Sequence, residues 1–338
     1  MHKILGRQNI KSLFLSSILI FLVTIYFVYF YLHLNFNIIS NDYAFKELFI
    51  NYEAGLIRRG LLGQIFWILN NSFSIKPIIF FSYLFLLLYV AQIYLYGKLI
   101  KNYVDSTYII LLILLSPALI LFNIYDQNVY FVKDIFIKLS VLLHAYILVL
   151  HFEEKKKQKD YFSILKFLII PLLAILILIH EYQVIFLSVH YLLSLSVVKN
   201  KKNIFNINKI YSILIVPILF VLIFVGDQTY YENLNQILGK FNVEIHRQMG
   251  GGFYDALGGF YKWHFFYFSY RDFINLFFSL ILSILIFYVL FQYLVRENII
   301  KFFSSYQQNY ILYFVPTLLC FILAVDHGRN ISLISVHL

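Results

Sequence analysis

Ser12–Leu34 reads SLFLSSILIFLVTIYFVYFYLHL, an unbroken apolar run without Asp, Glu, Lys or Arg. It reaches the ~20 residues that an α-helix needs to cross a bilayer core. The run is too long for the core of a signal peptide, and no small-residue cleavage site follows it. It reads as a first transmembrane helix. His2, Lys3, Arg7 and Lys11 precede it, which places the N-terminus in the cytoplasm.

The rest of the chain repeats this pattern. Of its 338 residues, 61% are hydrophobic and 13% charged, against about a quarter charged in a soluble domain. The fold class expected is an all-α polytopic membrane protein. Further spans read at Pro77–Gly97, Tyr108–Ile124, Ile135–His151, Tyr161–Ile179, Val184–Val198, Ile210–Gly226, Phe273–Val295 and Tyr310–Val325. Asn330–Leu338 reads as the opening of a further helix, so nine to ten spans are expected in one membrane domain covering residues 1–338.

Lys and Arg outnumber Asp and Glu by 27 to 17, but the excess gathers in short clusters between apolar runs. That is the positive-inside pattern, and it gives no reason to expect nucleic acid as a partner. Lys98 and Lys101, Lys155–Lys157 with Lys159, Lys199–Lys202 with Lys209, and Arg296 with Lys301 all fall on the side of the N-terminus. The lone Cys320 lies inside an apolar run, so neither a disulfide nor a thiolate metal site is expected. Abundant Ile, Lys, Asn, Phe and Tyr point to an AT-rich, bacterial genome.

The opposite face collects the polar chemistry. Residues 35–76 hold Asp42, Glu53 and the stretch Gly55-Leu56-Ile57-Arg58-Arg59-Gly60, within apolar residues at helical spacing; they read as one or two amphipathic helices at the membrane surface. Two adjacent guanidiniums there either snorkel to lipid headgroups or grip an anionic substrate. Asp126–Asp134 reads as a polar turn between spans. The segment 227–272 is the one large extramembrane part, rich in aromatics and in paired glycines, and reads as an outer loop with re-entrant or interfacial helices.

Three groups of residues could carry a reaction. His180-Glu181 begins like a zinc-protease motif but lacks a second His four residues on, and His190 is wrongly spaced for one. It sits in a turn of almost no length, where burial would raise a carboxylate toward a general base's working range. Alternatively, Glu181 pairs with an outer-face arginine; both readings stay open. Asp326-His327-Gly328-Arg329 brings a carboxylate, an imidazole and a guanidinium to the end of the last span. His144 and His151 read as packed or interfacial. No phosphate loop of the Walker type and no Ser-His-Asp or Cys-His pattern is present.

Together, Asn41-Asp42-Tyr43, Gly-x-x-Arg-Arg-Gly-Leu-x-Gly, the His-Glu pair and the Asp-His-Gly-Arg run resemble multi-spanning proteins of bacterial surface-polysaccharide synthesis. The chain is most similar to Wzy-type polymerases of O-antigen and capsule, and more broadly to membrane glycosyltransferases of the C-type fold. The resemblance implies a site open at the outer face of the cytoplasmic membrane, joining polyprenyl-pyrophosphate-linked oligosaccharides. Arg58, Arg59 and Arg329 would meet the phosphate. Glu181, Asp326 or Asp42, in that order, would take the acceptor's proton, with His180 beside Glu181. Donor and acceptor are then polyprenyl-linked sugars in the bilayer, no metal or cofactor is called for, and a chain-length regulator or other synthesis proteins are expected partners. The alternatives are a polyprenyl-phosphate-sugar-dependent transferase, a flippase for lipid-linked oligosaccharide, or a non-catalytic member of a synthesis complex.

Overall fold

A computed structural model describes residues 2–35, 43–103, 130–153, 158–195, 197, 201–224, 228–241 and 243–245. Among these, every regular element is helical. We number them α1 (His2–Asn35), α2 (Tyr43–Glu47), α3 (Leu61–Phe73), α4 (Pro77–Tyr103) and α5 (Asp134–Glu153). Next, α6 comprises Gln158–Ile164, a π-helical turn Leu165–Ile169 and Ile170–Ile179, and α7 is Gln183–Leu195. The eighth helix, α8, comprises Lys201–Tyr211, a 3-10 turn Ser212–Leu214 and Ile215–Ile223; α9 is Gln228–Leu238, ending in the turn Gly239–Phe241.

Five of these helices are long and apolar enough to cross a membrane: α1, α4, α5, α6 and α8. They carry large apolar side chains on their outer surfaces, including Phe21, Tyr31, Leu87, Phe167, Val216 and Leu222. Such outward surfaces suit hydrocarbon rather than water, and the chain is a helical protein embedded in a membrane. Lipid tails are as apolar as these side chains, so burial alone does not hold the bundle together; close packing and internal hydrogen bonds do. The expected span Val184–Val198 is the shorter helix α7. Those expected at 108–124, 273–295 and 310–325 lie outside the described residues, as do 126–129 and the end of the chain.

Both interrupted helices break for the same reason. Pro171 and Pro217 lack a backbone N–H, so the carbonyls four residues before them lose their helical donors. The π turn of α6 and the 3-10 turn of α8 each lie just ahead of one of these prolines.

Between α1 and α4 the chain folds inward. The apolar spacing predicts surface-lying helices over residues 43–69, but Phe45, Leu48, Phe49, Ile50 and Ile57 are buried. They pack in an aromatic cluster with Phe66, Phe81 and Phe131. Gly63 makes this possible. A Cβ there would stand 2.1 Å from the Ile50 carbonyl oxygen, so only glycine lets α3 lie against the loop. The outer side of α3 still presents Ile65, Ile68 and Phe73, as an interfacial helix would. Helix α9 closes over this region, with the Lys240 ammonium 3.9 Å from the centroid of Trp67.

Candidate functional site

The loop Leu48–Gly60 is held at one end of the bundle by contacts from several helix ends. The Arg58 backbone N–H donates to the carbonyl of Phe224, just past α8, at 2.7 Å. The Tyr230 hydroxyl of α9 donates to the Asn51 carbonyl. Within the loop, Tyr52 N–H donates to Gln64 Oε1 at 2.8 Å, and Gln64 donates in turn to Glu53 at 2.8 Å.

Arg59 is placed by an unusual backbone. Its φ is +64°, the left-handed region that costs a residue with a Cβ about 1–2 kcal/mol. That conformation turns its guanidinium inward, where three nitrogens donate to carboxylates. Nε and Nη2 form a bidentate pair with Glu181 Oε2 and Oε1, and Nη1 donates to Glu47. The bidentate fork is the strongest geometry available to an arginine and a carboxylate. Arg58 approaches the same Glu181 with Nη1 at 3.7 Å from Oε1. Thus the two arginines, alike in sequence, relate differently to one carboxylate.

The second half of the site is built by α5 and the α6–α7 turn. Lys133 and Asp134 are buried, not exposed in a polar turn as the sequence predicts. Asp134 opens α5, where a negative charge meets the positive end of the helix dipole, and its Oδ1 lies 2.9 Å from His180 Nε2. His180 Nδ1 is 3.7 Å from Glu181 Oε2, an electrostatic approach rather than a hydrogen bond. The Lys133 ammonium donates to the Arg59 carbonyl at 3.4 Å. The turn between α6 and α7 is as short as expected, residues 180–182, with the Tyr182 ring stacked on His180.

Three cations (Arg58, Arg59, Lys133) therefore gather around the carboxylates of Glu47 and Glu181, while Asp134 pairs with His180. Burial pushes the Glu181 carboxyl up, but Arg59, His180 and Arg58 outweigh it and hold it well below the usual carboxylate range. The pairing of Glu181 with an arginine, one of the two readings open from the sequence, is present in this geometry. Lys133 is lowered to about 8, chiefly by burial and against the pull of Glu47. The Tyr231 hydroxyl is pushed up to about 12 by burial, despite the two arginines. It stays protonated, and it makes no hydrogen bond among the described residues.

Of the residues expected to act, Arg58, Arg59, His180 and Glu181 come together. Asp42, Asp326 and Arg329 lie outside the described residues. Glu47, Lys133, Asp134 and Tyr231 join the site although the sequence gives little reason to select them. The sign available for Glu47 is a Lys46-Glu47 pair of opposite charges set among apolar residues. For Tyr231 no local sign exists.

No family model, curated protein or solved structure matches this chain. What the site can do follows from its own groups. It offers fixed guanidinium forks, a buried ammonium, an imidazole held by a carboxylate, and a protonated phenol, all at one end of a membrane bundle. Among the described residues, no group of three or more His, Cys, Asp or Glu is arranged to hold a metal ion.

Proposed function

We propose that the protein is a membrane glycosyltransferase that joins polyprenyl-pyrophosphate-linked oligosaccharides in bacterial surface-polysaccharide synthesis. The full chain would carry nine to ten spans in a C-type-like arrangement, in the cytoplasmic membrane with its N-terminus inside. The observation that carries this reading is the position of the charged cluster. It gathers the ends of α5, α6 and α8 and the loop before α3 at one end of the bundle, where a headgroup phosphate travels. The lysine clusters of Lys98, Lys101 and Lys209 occur toward the other ends of α4 and α8 in the sequence, which fits a cytoplasmic side opposite the site.

On this reading the arginines divide the work. Arg59 is committed to Glu181 and Glu47 and shapes the site. Arg58 is the group that meets the departing pyrophosphate, because exchanging a 3.7 Å approach for a direct phosphate contact disturbs less than opening a bidentate pair. Arginine donors fixed where the leaving group gains charge supply electrostatic stabilisation without reorganisation. As phosphate draws Arg58 away from Glu181, that carboxylate's proton affinity rises while Arg59 and His180 still hold it down; Glu181, Asp326 or Asp42 takes the proton of the attacking sugar hydroxyl. Tyr231 is placed to donate to a substrate oxygen.

The test uses purified protein with lipid-linked repeat units. Arg58→Lys keeps the charge but loses the fork, and is expected to abolish polymer formation while thermal stability changes by less than about 1 kcal/mol. Glu181→Gln, Asp326→Asn and Asp42→Asn search for the base. Full activity in Arg58→Lys and in all three amide variants would exclude the transferase reading.

A second reading, a flippase for lipid-linked oligosaccharide, is favoured by a different observation: a buried polar chain inside the bundle, as transport paths require.

A further inference from the structure

Within the bundle, away from the charged cluster, two histidines from different helices meet. His144 of α5 and His190 of α7 place their Nδ1 atoms 3.0 Å apart, with rings nearly parallel. Both are fully buried. His144 Nε2 lies 2.7 Å from the Tyr161 hydroxyl of α6, and His190 Nε2 lies 3.1 Å from Ser140 Oγ. The chain continues at both ends. Tyr161 reaches Ser194 Oγ at 3.3 Å, and Ser194 reaches the Tyr211 hydroxyl of α8 at 3.0 Å. At the other end Ser140 Oγ is 2.8 Å from the Ile137 carbonyl and 3.4 Å from Gln183 Oε1. The Gln183 amide nitrogen is buried and makes no hydrogen bond among the described residues.

This chain is satisfied in two opposite polarities. In one, Tyr161 donates to His144 Nε2, His144 donates through Nδ1 to His190, His190 donates through Nε2 to Ser140, and Ser140 donates to the Ile137 carbonyl. In the other, Ser140 donates to His190, His190 to His144, His144 to Tyr161 and Tyr161 to Ser194, while Ser194 donates to the His190 carbonyl at 3.0 Å. Each imidazole carries one proton in either case, as the neutral ring requires. A chain held in one direction only would have a fixed terminal donor or acceptor; this one has an acceptor waiting at each end.

We propose that the Ser140–His190–His144–Tyr161 chain is a proton relay running through the membrane interior of the protein. A proton arriving at the Tyr161 oxygen releases the phenolic proton to His144 Nε2. His144 passes its Nδ1 proton to His190 Nδ1, and His190 passes its Nε2 proton to Ser140. The proton that Ser140 held is handed past Gln183 Oε1 to water at that end of the bundle, as water at the Tyr161 end supplies the proton taken up. One proton enters and one leaves, and the chain ends in its opposite polarity. Gln183 and Ser194, the flanking contacts of the relay, lie at the two ends of α7, eleven residues apart. The hydrogen-bonded chain with its flanks thus extends about 16 Å along the helix axis, about half of a hydrocarbon core of roughly 30 Å. Gln183 is two residues from Glu181, which puts one end of the relay beside the charged site. Other ionisable groups face it. His151 of α5 has its ring 5.4 Å from that of Tyr161, Tyr211 closes the α8 side, and Lys138 is buried along α5 toward the charged end. The relay does not rest on the transferase reading, since moving a proton needs neither donor nor acceptor sugar.

The test reconstitutes the full chain in phosphatidylethanolamine–phosphatidylglycerol vesicles loaded with a pH-sensitive dye, and imposes a potassium diffusion potential. Wild-type vesicles should acidify faster than protein-free ones. His144→Gln and His190→Gln keep a hydrogen-bonding side chain but no ring that can take a proton on one nitrogen and release one from the other, so both should fall to the protein-free rate. Tyr161→Phe should do the same while removing a single oxygen. Wild-type flux equal to that of protein-free vesicles would overturn the relay. So would unchanged flux in either histidine variant, because a merely structural hydrogen bond would not be read by proton current.

Discussion

Two buried polar regions of this molecule solve the same problem in opposite ways. At the helix ends, full charges are gathered and cancelled against each other, with Arg58, Arg59 and Lys133 around Glu47 and Glu181. Deeper in the bundle, between α5, α6, α7 and α8, the polar groups are a pair of imidazoles and hydroxyls that form a closed hydrogen-bonded chain. Position accounts for the difference. An ion is costly in hydrocarbon unless paired, and the cost is least near the interface. The interior admits groups that stay neutral while each proton still finds an acceptor. Fixed charge suits binding an anion, whereas neutral groups with exchangeable protons suit moving one.

Breaking the charged region should have the largest effect. Removing the Glu181 charge by Glu181→Gln leaves Arg59 and Arg58 facing each other with reduced compensation, and the loss of one partner of a buried ion pair costs about 3–5 kcal/mol. Chemical or thermal unfolding in detergent should show that loss. Acid should mimic it. The folded-state affinity of Glu181 for protons is depressed, so its contribution is complete above the ordinary carboxylate value of 4.5 and disappears as pH falls below it toward the lower folded value.

Lys133 predicts a smaller effect: stability rises with pH here too, but removing the group acts in the opposite direction. Its folded pKa is lowered from 10.5 to about 8, so above pH 8 the unfolded chain binds more protons and stability should rise with pH up to about 10.5. Lys133→Met should abolish that rise and be neutral or stabilising at pH 7, by up to about 2 kcal/mol. A pH profile of unfolding for the two proteins checks both statements.

Single deletions in the interior chain should be milder. Tyr161→Phe removes the contacts to His144 and Ser194, and Ser194→Ala those to Tyr161, Tyr211 and the His190 carbonyl. Such bonds within membranes are worth about 0.6 kcal/mol each on average, so a loss of roughly 1–2 kcal/mol is expected. A small stability change together with lost proton flux would set this region apart from the charged one. A loss as large as that of Glu181→Gln would merge them.

These two regions also differ in how much the sequence discloses. Spans are legible because an uncharged apolar run of about 20 residues fits a bilayer crossing better than any water-facing element. Pro77, Asp134 and Ile179 bound helices close to where such runs begin or end. Arg58, Arg59 and Glu181 are legible as unusual charges beside those runs. Their division of labour is not, because it depends on the positive φ of Arg59, which nothing in the flanking residues dictates. In sequence, Glu47 reads as part of a surface helix beside Lys46, and Lys133–Asp134 as a solvated turn. All three are buried because residues 43–60 fold inward against residues 131–133, a tertiary event made possible by the close approach at Gly63. The histidine pair is least legible. Each ring sits alone on an apolar helix, 46 residues from the other, and only the packing of α5 against α7 joins them.

Arg59, rather than Arg58, is the clamp that ties the inward-folded loop to the α6–α7 turn. The most direct measurement is a pair of double-mutant cycles on unfolding free energy, Arg59→Met with Glu181→Gln and Arg58→Met with Glu181→Gln. A coupling of about 2 kcal/mol or more is expected for the first pair and under about 0.5 kcal/mol for the second. Equal couplings, or a larger one for Arg58, would contradict the assignment.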